Sequence, residues 1–415
     1  MEADLLIYNI KKIYTPLGNC PLCGSDMENI EEIEDAYIAI KDGKILAAGK
    51  SPAAISAKEK IDAKGMIAIP GFVDPHTHLI HYGSRENEVA LKLKGYCYVD
   101  ILKQGGGILS TVNATRNASD DQLIEKAMKS LDIMLSHGTT TVEVKSGYGL
   151  STEEEIRLLR LMNKLNSISL VDIVPTFLGA HSIPTEFKEN SWGYVDKVAK
   201  EMIPKVKEEN LAEFCDVFCE DGAFDYEQSK KILEEAKKQG MKLKIHADEL
   251  TQSGGGELAG ILGAVSADHL EEVSEKGIEL MKKAGTVGVL LPGVSYFLDR
   301  PYANARKLIE KGLAVALGTD YNPGTSPTEN LQLIMSFAYI KMKMSAKEIL
   351  TGVTLNAACA IDKGNEIGTI EKGKKADILL IDAPNLDYIM YHFGINHVNT
   401  VIKSKGDKAV VIGVG

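Results

Sequence analysis

The chain has 415 residues, 44% hydrophobic and 25% charged, enough apolar material for a large core without a disulfide scaffold. A formal net charge of -11 sets it against phosphate backbones and anionic membrane surfaces, so neither nucleic acid nor membrane is an expected partner. Six sparse cysteines (Cys20, Cys23, Cys97, Cys215, Cys219, Cys359), no signal-peptide pattern and no apolar run of about 18 residues predict reduced thiols in a cytoplasmic protein.

The first 68 residues read as short strands. DLLIYNI, AYIAI and KILAAG are brief apolar runs punctuated by Asp42-Gly43 and Gly49. Residues 19–34, NCPLCGSDMENIEEIE, hold a Cys-x-x-Cys pair and an acidic run. One such pair is a weak zinc signal, and a mobile hairpin loop with two reduced cysteines is expected. Strands return at the far end as ADILLID, TVIKSKGD and AVVIGVG. Neither end has enough apolar surface to stand alone, so 1–68 and 361–415 are expected to meet in one small β-sandwich domain.

Between them, residues 69–360 change pattern. The runs GFVDPHTH, TTTVEVKSG, VDIVPTFLGAH, CDVFCEDG, KLKIHADE, AVSADH, TVGVLLPG and AVALGTD alternate with longer stretches apolar at three-to-four spacing. Those stretches are DQLIEKAMKSLDIMLSHG, EEEIRLLRLMNKL, YEQSKKILEEAKKQG and ARKLIEKG, several closed by Gly. Eight such units predict an α/β fold, a (β/α)8 TIM-like barrel, with a doubly wound open sheet as the alternative. The glycine runs 105–107 and 254–256 lack a following Lys-Ser/Thr and read as flexible loops, not phosphate cradles.

Barrel enzymes assemble their sites at the C-terminal ends of the strands. His76 and His78 follow the first strand, His246 ends the fifth, His269 the sixth and Asp320 the eighth. Each alone could be structural, but on a closed barrel the set converges. Imidazoles with a carboxylate suit Zn, Fe or Mn rather than Ca or Mg, and such an ion lowers the pKa of water toward neutrality. Glu249, three residues after His246, could carry protons.

PGFVDPHTH, IHADE, SADH and LGTD resemble the metal motifs of the amidohydrolase superfamily, and the split β-domain around a barrel is also its pattern. Some members hold two metals bridged by a modified lysine on the fourth strand. CDVFCEDG offers no lysine, so one ion per chain, Zn or Fe, is expected. PHTHLIHYGSRENE, EVKSGYGL, PTFLGAHSIP and GTDYNPGTSPT are similar to the branch that hydrolyses the cyclic amide of 4-imidazolone-5-propanoate to N-formimidoyl-L-glutamate in histidine degradation. The resemblance implies His76, His78, His246 and Asp320 as metal ligands. It implies Arg85, Tyr148, His181, Glu249 and Thr325 as substrate contacts, with Asn322 and Gly324 holding the product. It also implies a homodimer.

The residue types suit that substrate. Arg85 can grip a carboxylate tail through two bonds, Tyr148 can hydrogen-bond a ring, and His181 can donate to a ring carbonyl or a developing oxyanion. Glu249, His269 or Asp320 would move the proton to the leaving nitrogen. Two rival readings are a nucleobase deaminase of the same superfamily and a non-catalytic barrel scaffold. A carboxylate-gripping Arg85 counts against the first, and the complete ligand set against the second.

Overall fold

The computed structural model describes residues 2–50, 55–95 and 106–414, so Cys97 and Gly105 lie outside the described residues. Eight parallel strands follow one another in chain order, each hydrogen-bonded to the next. They are Phe72–Asp74, Thr139–Lys145, Asp172–Ala180, Phe214–Cys219, Lys242–Ala247, Ser266–His269, Val287–Leu290 and Val315–Leu317. All but a few of their residues are buried, as strands covered on both faces must be. The helices between them start where the sequence supplies caps. Ser119 with Gln122 and Asp225 with Gln228 form capping boxes for helices Asp120–Ser136 and Tyr226–Lys238. Leu123, Ala127, Leu131 and Met134 give the first of these its buried face.

The last strand meets the first without a continuous ladder. The ring closes just beyond the strand ends, where Thr77 bridges Tyr321, His78 N–H donates to Tyr321 O (2.9 Å) and Asp320 N–H donates to His76 O (3.0 Å). Below that, the buried Asp74 carboxylate accepts from Thr319 N–H (3.1 Å) and Oγ1 (2.5 Å). The architecture is thus a nearly closed barrel, and the open doubly wound sheet is excluded.

Both chain ends form the second body. Strands Glu2–Pro16, Ile30–Lys41, Lys44–Lys50, Ser56–Asp62 and Ile67–Pro70 join Ile378–Ile381, Val398–Lys405 and Lys408–Gly413 in one mixed eight-stranded sheet. The ends are stitched by antiparallel pairing of Ile69 with Leu379, and Ile67–Pro70 runs across the expected boundary at residue 68. The sandwich takes the form of one curled sheet. Ile45 N–H reaches Lys374 O and Ala376 N–H reaches Gly43 O, both at 2.9 Å, enclosing Ile7, Ile38, Ile40, Ile378, Leu380 and Ile402. Asp42 and Gly43 both have positive φ, the tight hairpin turn their sequence predicts. Gly49 does not break its strand; a Cβ there would lie 3.7 Å from the Tyr37 ring.

The segment around Cys20 and Cys23 is not the free loop expected. Leu22 N–H donates to Asn356 Oδ1 (2.8 Å), Gly24 N–H to Leu313 O (3.2 Å) and Thr351 Oγ1 to Met27 O (2.8 Å), with Met27 fully buried. Apolar Leu22 and Met27 dock the loop on the barrel's closing helices. Cys20, Cys23, Cys215, Cys219 and Cys359 are free thiols. Among the described residues, no helix is long and apolar enough to cross a membrane.

A buried ion cluster joins the two bodies. Lys403, with no exposed surface, contacts both oxygens of Asp377 (3.0 and 2.9 Å) and Asp172 Oδ2 (2.9 Å) at the start of the third barrel strand. Removing one partner of a buried pair strands the other charge, at a cost of about 3 kcal/mol or more. Asp377→Ala should therefore lower the denaturant midpoint by an amount corresponding to about 3 kcal/mol, and an unchanged midpoint would show that Asp172 alone satisfies Lys403.

Candidate active site

His76 and His78 lie in the extended segment that closes the ring, not in the first strand, which ends two residues earlier. With His246 and Asp320 they enclose a small space. His246 Nε2 is 3.3 Å from His78 Nε2, and Asp320 Oδ1 is 3.4 Å from His76 Nε2 and 3.3 Å from His78 Nε2. Four donors about 2.1 Å from one ion at tetrahedral angles stand about 3.4 Å apart. His76 Nε2 and Asp320 Oδ1 are buried without a hydrogen-bond partner, as ligand atoms awaiting an ion would be. Burial first, then neighbouring cations, holds His76 and His78 well below the ordinary imidazole range, so both rings are neutral and can present lone pairs. The set can hold a metal ion. Asp320 stands at φ 49° and His269 at φ 82°, left-handed backbone that non-glycine residues adopt where a fold forces it.

Beneath this cluster lies a charged layer that the sequence analysis missed. His76 Nδ1–H donates to Asp268 Oδ2 at 2.6 Å, which fixes the tautomer and frees Nε2. His246 Nδ1 lies 3.1 Å from Asp216 Oδ2, at an angle too bent for a hydrogen bond. Both carboxylates share Lys145, whose Nζ is 2.8 Å from Asp216, 2.9 Å from Glu143 and 3.7 Å from Asp268. Burial would lower the Lys145 pKa, but Asp216, Glu143 and Asp268 outweigh it and raise it above the usual lysine value. Lys244, also fully buried, donates to Ser266 Oγ (2.7 Å) and Ala360 O (3.1 Å). His78 is supported differently. His81 Nδ1–H donates to the His78 carbonyl (2.8 Å), so His81 Nε2 accepts from Lys126 Nζ (2.7 Å).

Glu249 and His269 face the cluster from the other side. Glu249 Oε2 is 3.6 Å from His269 Nε2, and Glu271 Oε2 is 4.0 Å from His269 Nδ1. Burial, with Asp320 and Glu220 adding, pushes Glu249 up to about 8, and burial takes His269 down to about 3. The loop that aims Glu249 is pinned at both ends. Glu220 accepts from Leu250 N–H (2.8 Å) and the Thr251 hydroxyl, and Asp248 accepts from the amides of Gly254 (2.8 Å), Gly255 (3.2 Å) and Gly256 (2.9 Å). The glycine run 254–256 is therefore no flexible loop. Its amides do cradle an anion, but one supplied by the chain itself.

Tyr148 and His181 complete the wall. The His181 ring stacks on His78 at 4.8 Å, and Tyr148 lies 5.9 Å from His78 and 5.4 Å from His181. His181 Nδ1–H donates to Gly147 O (3.1 Å), and burial holds the ring well below its usual pKa. A neutral His181 thus turns an acceptor nitrogen away from Gly147. The donor role expected of it needs a second proton, which burial disfavours.

Among the described residues, Arg85 makes no hydrogen bond or ion pair with His76, His78, His246 or Asp320. Its guanidinium already makes a two-bond fork to Glu88, both at 2.9 Å, so a substrate carboxylate would have to share or displace that partner. It borders a cavity of about 310 Å³ with His81, Lys126, Tyr321 and Glu329, and His76, His78, His246 and Asp320 do not line it. Asn322 and Thr325 are spent on their own loop. Asn322 Oδ1 accepts from Gly324 and Thr325 N–H (both 2.8 Å), while its Nδ2 donates to Asp320 O (2.7 Å) and Thr325 Oγ1 (2.9 Å). Any product contact from Asn322 would have to displace one of these. A Cβ on Gly324 would lie 2.2 Å from Arg85 Nη1, so glycine there makes room for the guanidinium.

Comparison with known proteins agrees with this geometry. Residues 67–414 match the amidohydrolase family. Over 414 residues, 100% of both chains, the sequence is 98% identical to a protein of Thermoanaerobacter pseudethanolicus and 82% identical to one of Caldanaerobacter subterraneus subsp. tengcongensis, each named imidazolonepropionase. A zinc-bound adenosine deaminase from Xanthomonas campestris shares the fold with a TM-score of 0.71 at 19% identity, over 98% of this chain and 93% of that one. The 5-methylcytosine deaminase of Klebsiella pneumoniae does so with a TM-score of 0.71 at 18% identity, over 96% and 97%. At such identity the deaminases speak for the barrel alone, whereas near-identity over the full length decides membership: the chain belongs to the amidohydrolase family, and within it to the imidazolonepropionases.

Proposed function

We propose that this protein hydrolyses the cyclic amide of 4-imidazolone-5-propanoate to N-formimidoyl-L-glutamate, a step in histidine degradation. The observation that carries the reading is the convergence of His76, His78, His246 and Asp320, with unpaired buried donor atoms, beside Tyr148 and Glu249. The proposed ligands would hold one Zn or Fe ion, which supplies a water made acidic near neutral pH and a positive charge for a developing oxyanion. Cytoplasm and a homodimer are the proposed setting.

The chain's own residues do the rest. Arg85 reaches the propanoate tail by sharing its fork with Glu88 or releasing it. Tyr148 is kept protonated by burial first and by Asp320, so its hydroxyl is a donor for the ring. Glu249, with its pKa near 8, holds a proton at neutral pH and passes it to the leaving ring nitrogen. His269, 3.6 Å from Glu249, and Asp320 are the other candidates to carry that proton. Burial disfavours a second proton on His181, whose Nδ1–H is spent on Gly147 O, so we assign it to packing on His78 and to accepting from the substrate.

Incubation with 4-imidazolone-5-propanoate should bleach the imidazolone ultraviolet absorbance, and a chelator should stop this until Zn or Fe is restored. Bleaching that survives complete metal removal would sink the hydrolytic mechanism, and release of ammonia from a nucleobase would favour deamination instead. Glu249→Gln should lower kcat by about 10² to 10⁴-fold with metal content unchanged; a small effect would pass the proton role to His269 or Asp320. Gly324→Ala should displace the Arg85 guanidinium and raise KM about 10-fold or more, as loss of a charge-assisted contact does, with little change in Tm. An unaltered KM would remove Arg85 from tail recognition.

A further inference from the structure

The metal cluster rests on a layer of charge that none of its direct ligands explains. Lys145 comes from the second barrel strand, Asp216 from the fourth and Asp268 from the sixth. Side chains of alternate strands share one layer of a barrel interior, and that layer is ordinarily filled by branched apolar residues. Here it holds Lys145, Asp216 and Asp268, all with essentially no exposed surface. Apolar residues of similar volume would serve stability at least as well as a buried ion network. Stability therefore does not account for this arrangement, and its neighbours suggest what does. Asp268 meets His76 and Asp216 meets His246, the only two of the four proposed ligands that contact a carboxylate other than Asp320 among the described residues.

We propose that Lys145 is a positioning residue for the metal: by gathering Asp216 and Asp268 on one ammonium it fixes the rings of His76 and His246 with Nε2 turned toward the ion. The proposal rests on the reading of His76, His78, His246 and Asp320 as ligands.

The same strand ties down the ligand segment through its backbone. Lys145 N–H donates to Thr77 O (2.9 Å), and Thr77 Oγ1 donates to Glu143 O (2.6 Å). Thr77 sits between the two histidines, so the second strand controls both the path of the segment and the rotation of the His76 ring. The charges also match. Lys145 and Lys244 face Glu143, Asp216 and Asp268, which leaves one formal negative charge in excess. With Asp320 above, the surplus equals the charge of one divalent cation. Without Lys145 the carboxylates would repel one another, and Asp268 and Asp216 would lose the anchor that aims them.

The test measures metal affinity rather than turnover. Wild-type protein, Lys145→Met and Asp268→Asn are stripped of metal. Their folding is verified by circular dichroism and thermal melting, and Zn²⁺ affinity is read by competition with a chromogenic chelator. Wild type should take up about one Zn²⁺ per chain, and each folded variant should bind it about 10- to 100-fold more weakly, the range for partners of metal-ligating histidines. The double variant should be little weaker than the weaker single one, because the Asp268 contact to His76 is part of what Lys145 holds in place. Asp268→Asn keeps the shape of the side chain and carries the test if Lys145→Met does not fold. Affinity within twofold of wild type in a folded variant overturns the proposal. So does failure of both apo-variants to fold where the wild-type apo-protein folds, since that assigns the layer to stability. Absence of Zn²⁺ binding by wild type overturns the ligand reading itself.

Discussion

The barrel is built around a cation that water cannot reach. An ammonium with no solvent must find partners inside the protein, and Lys145 draws Glu143, Asp216 and Asp268 to the axis from three different strands. Glu143 is engaged by Lys145, and Asp268 and Asp216 are engaged by Lys145 and by Nδ1 of His76 and His246. With Nδ1 of His76 and His246 turned down to that layer, Nε2 of each ring faces the site above, where that of His76 meets Asp320. The chemistry at the rim is set by how the charge beneath it is balanced.

The rim was legible in the sequence and the layer under it was not. A polar residue that ends an apolar run, as in KLKIH or AVALGTD, stands out against its neighbours, so His246, His269 and Asp320 could be read directly. Glu143 and Lys145 in TTTVEVKSG look like the outward face of a half-buried strand, because period-two alternation carries no sign of which face is wet. Only closure of the barrel turns that face inward. The state of His181 was equally out of sight, since it depends on a carbonyl 34 positions earlier in the chain. Arg85 was readable as a cation but not as one already engaged by Glu88, although Arg-x-x-Glu at helical spacing carried the hint.

Loops reveal the same limit from another side. The residues around Cys20 lack periodicity and read as mobile, yet Met27 is fully buried and Leu22 packs against the core. Two apolar side chains in a polar loop were the signal, too sparse to weigh without knowing what lay opposite. The Gly254–Gly256 run failed for a different reason. A glycine-rich turn ahead of a helix offers its amides to an anion, and the chain meets that demand with its own Asp248.

The seam of the barrel gives the proposed ion a second task. The first and last strands do not pair along their length, and their ends meet through contacts such as Asp74 with Thr319, 245 positions apart. Three of the four proposed ligands sit on that seam, His76 and His78 on one side and Asp320 on the other. An ion held there would act as a clasp on a hoop, joining the two ends of the ring as it arms the site. Folding and metal loading would then be linked, with free metal concentration setting how firmly the barrel stays shut.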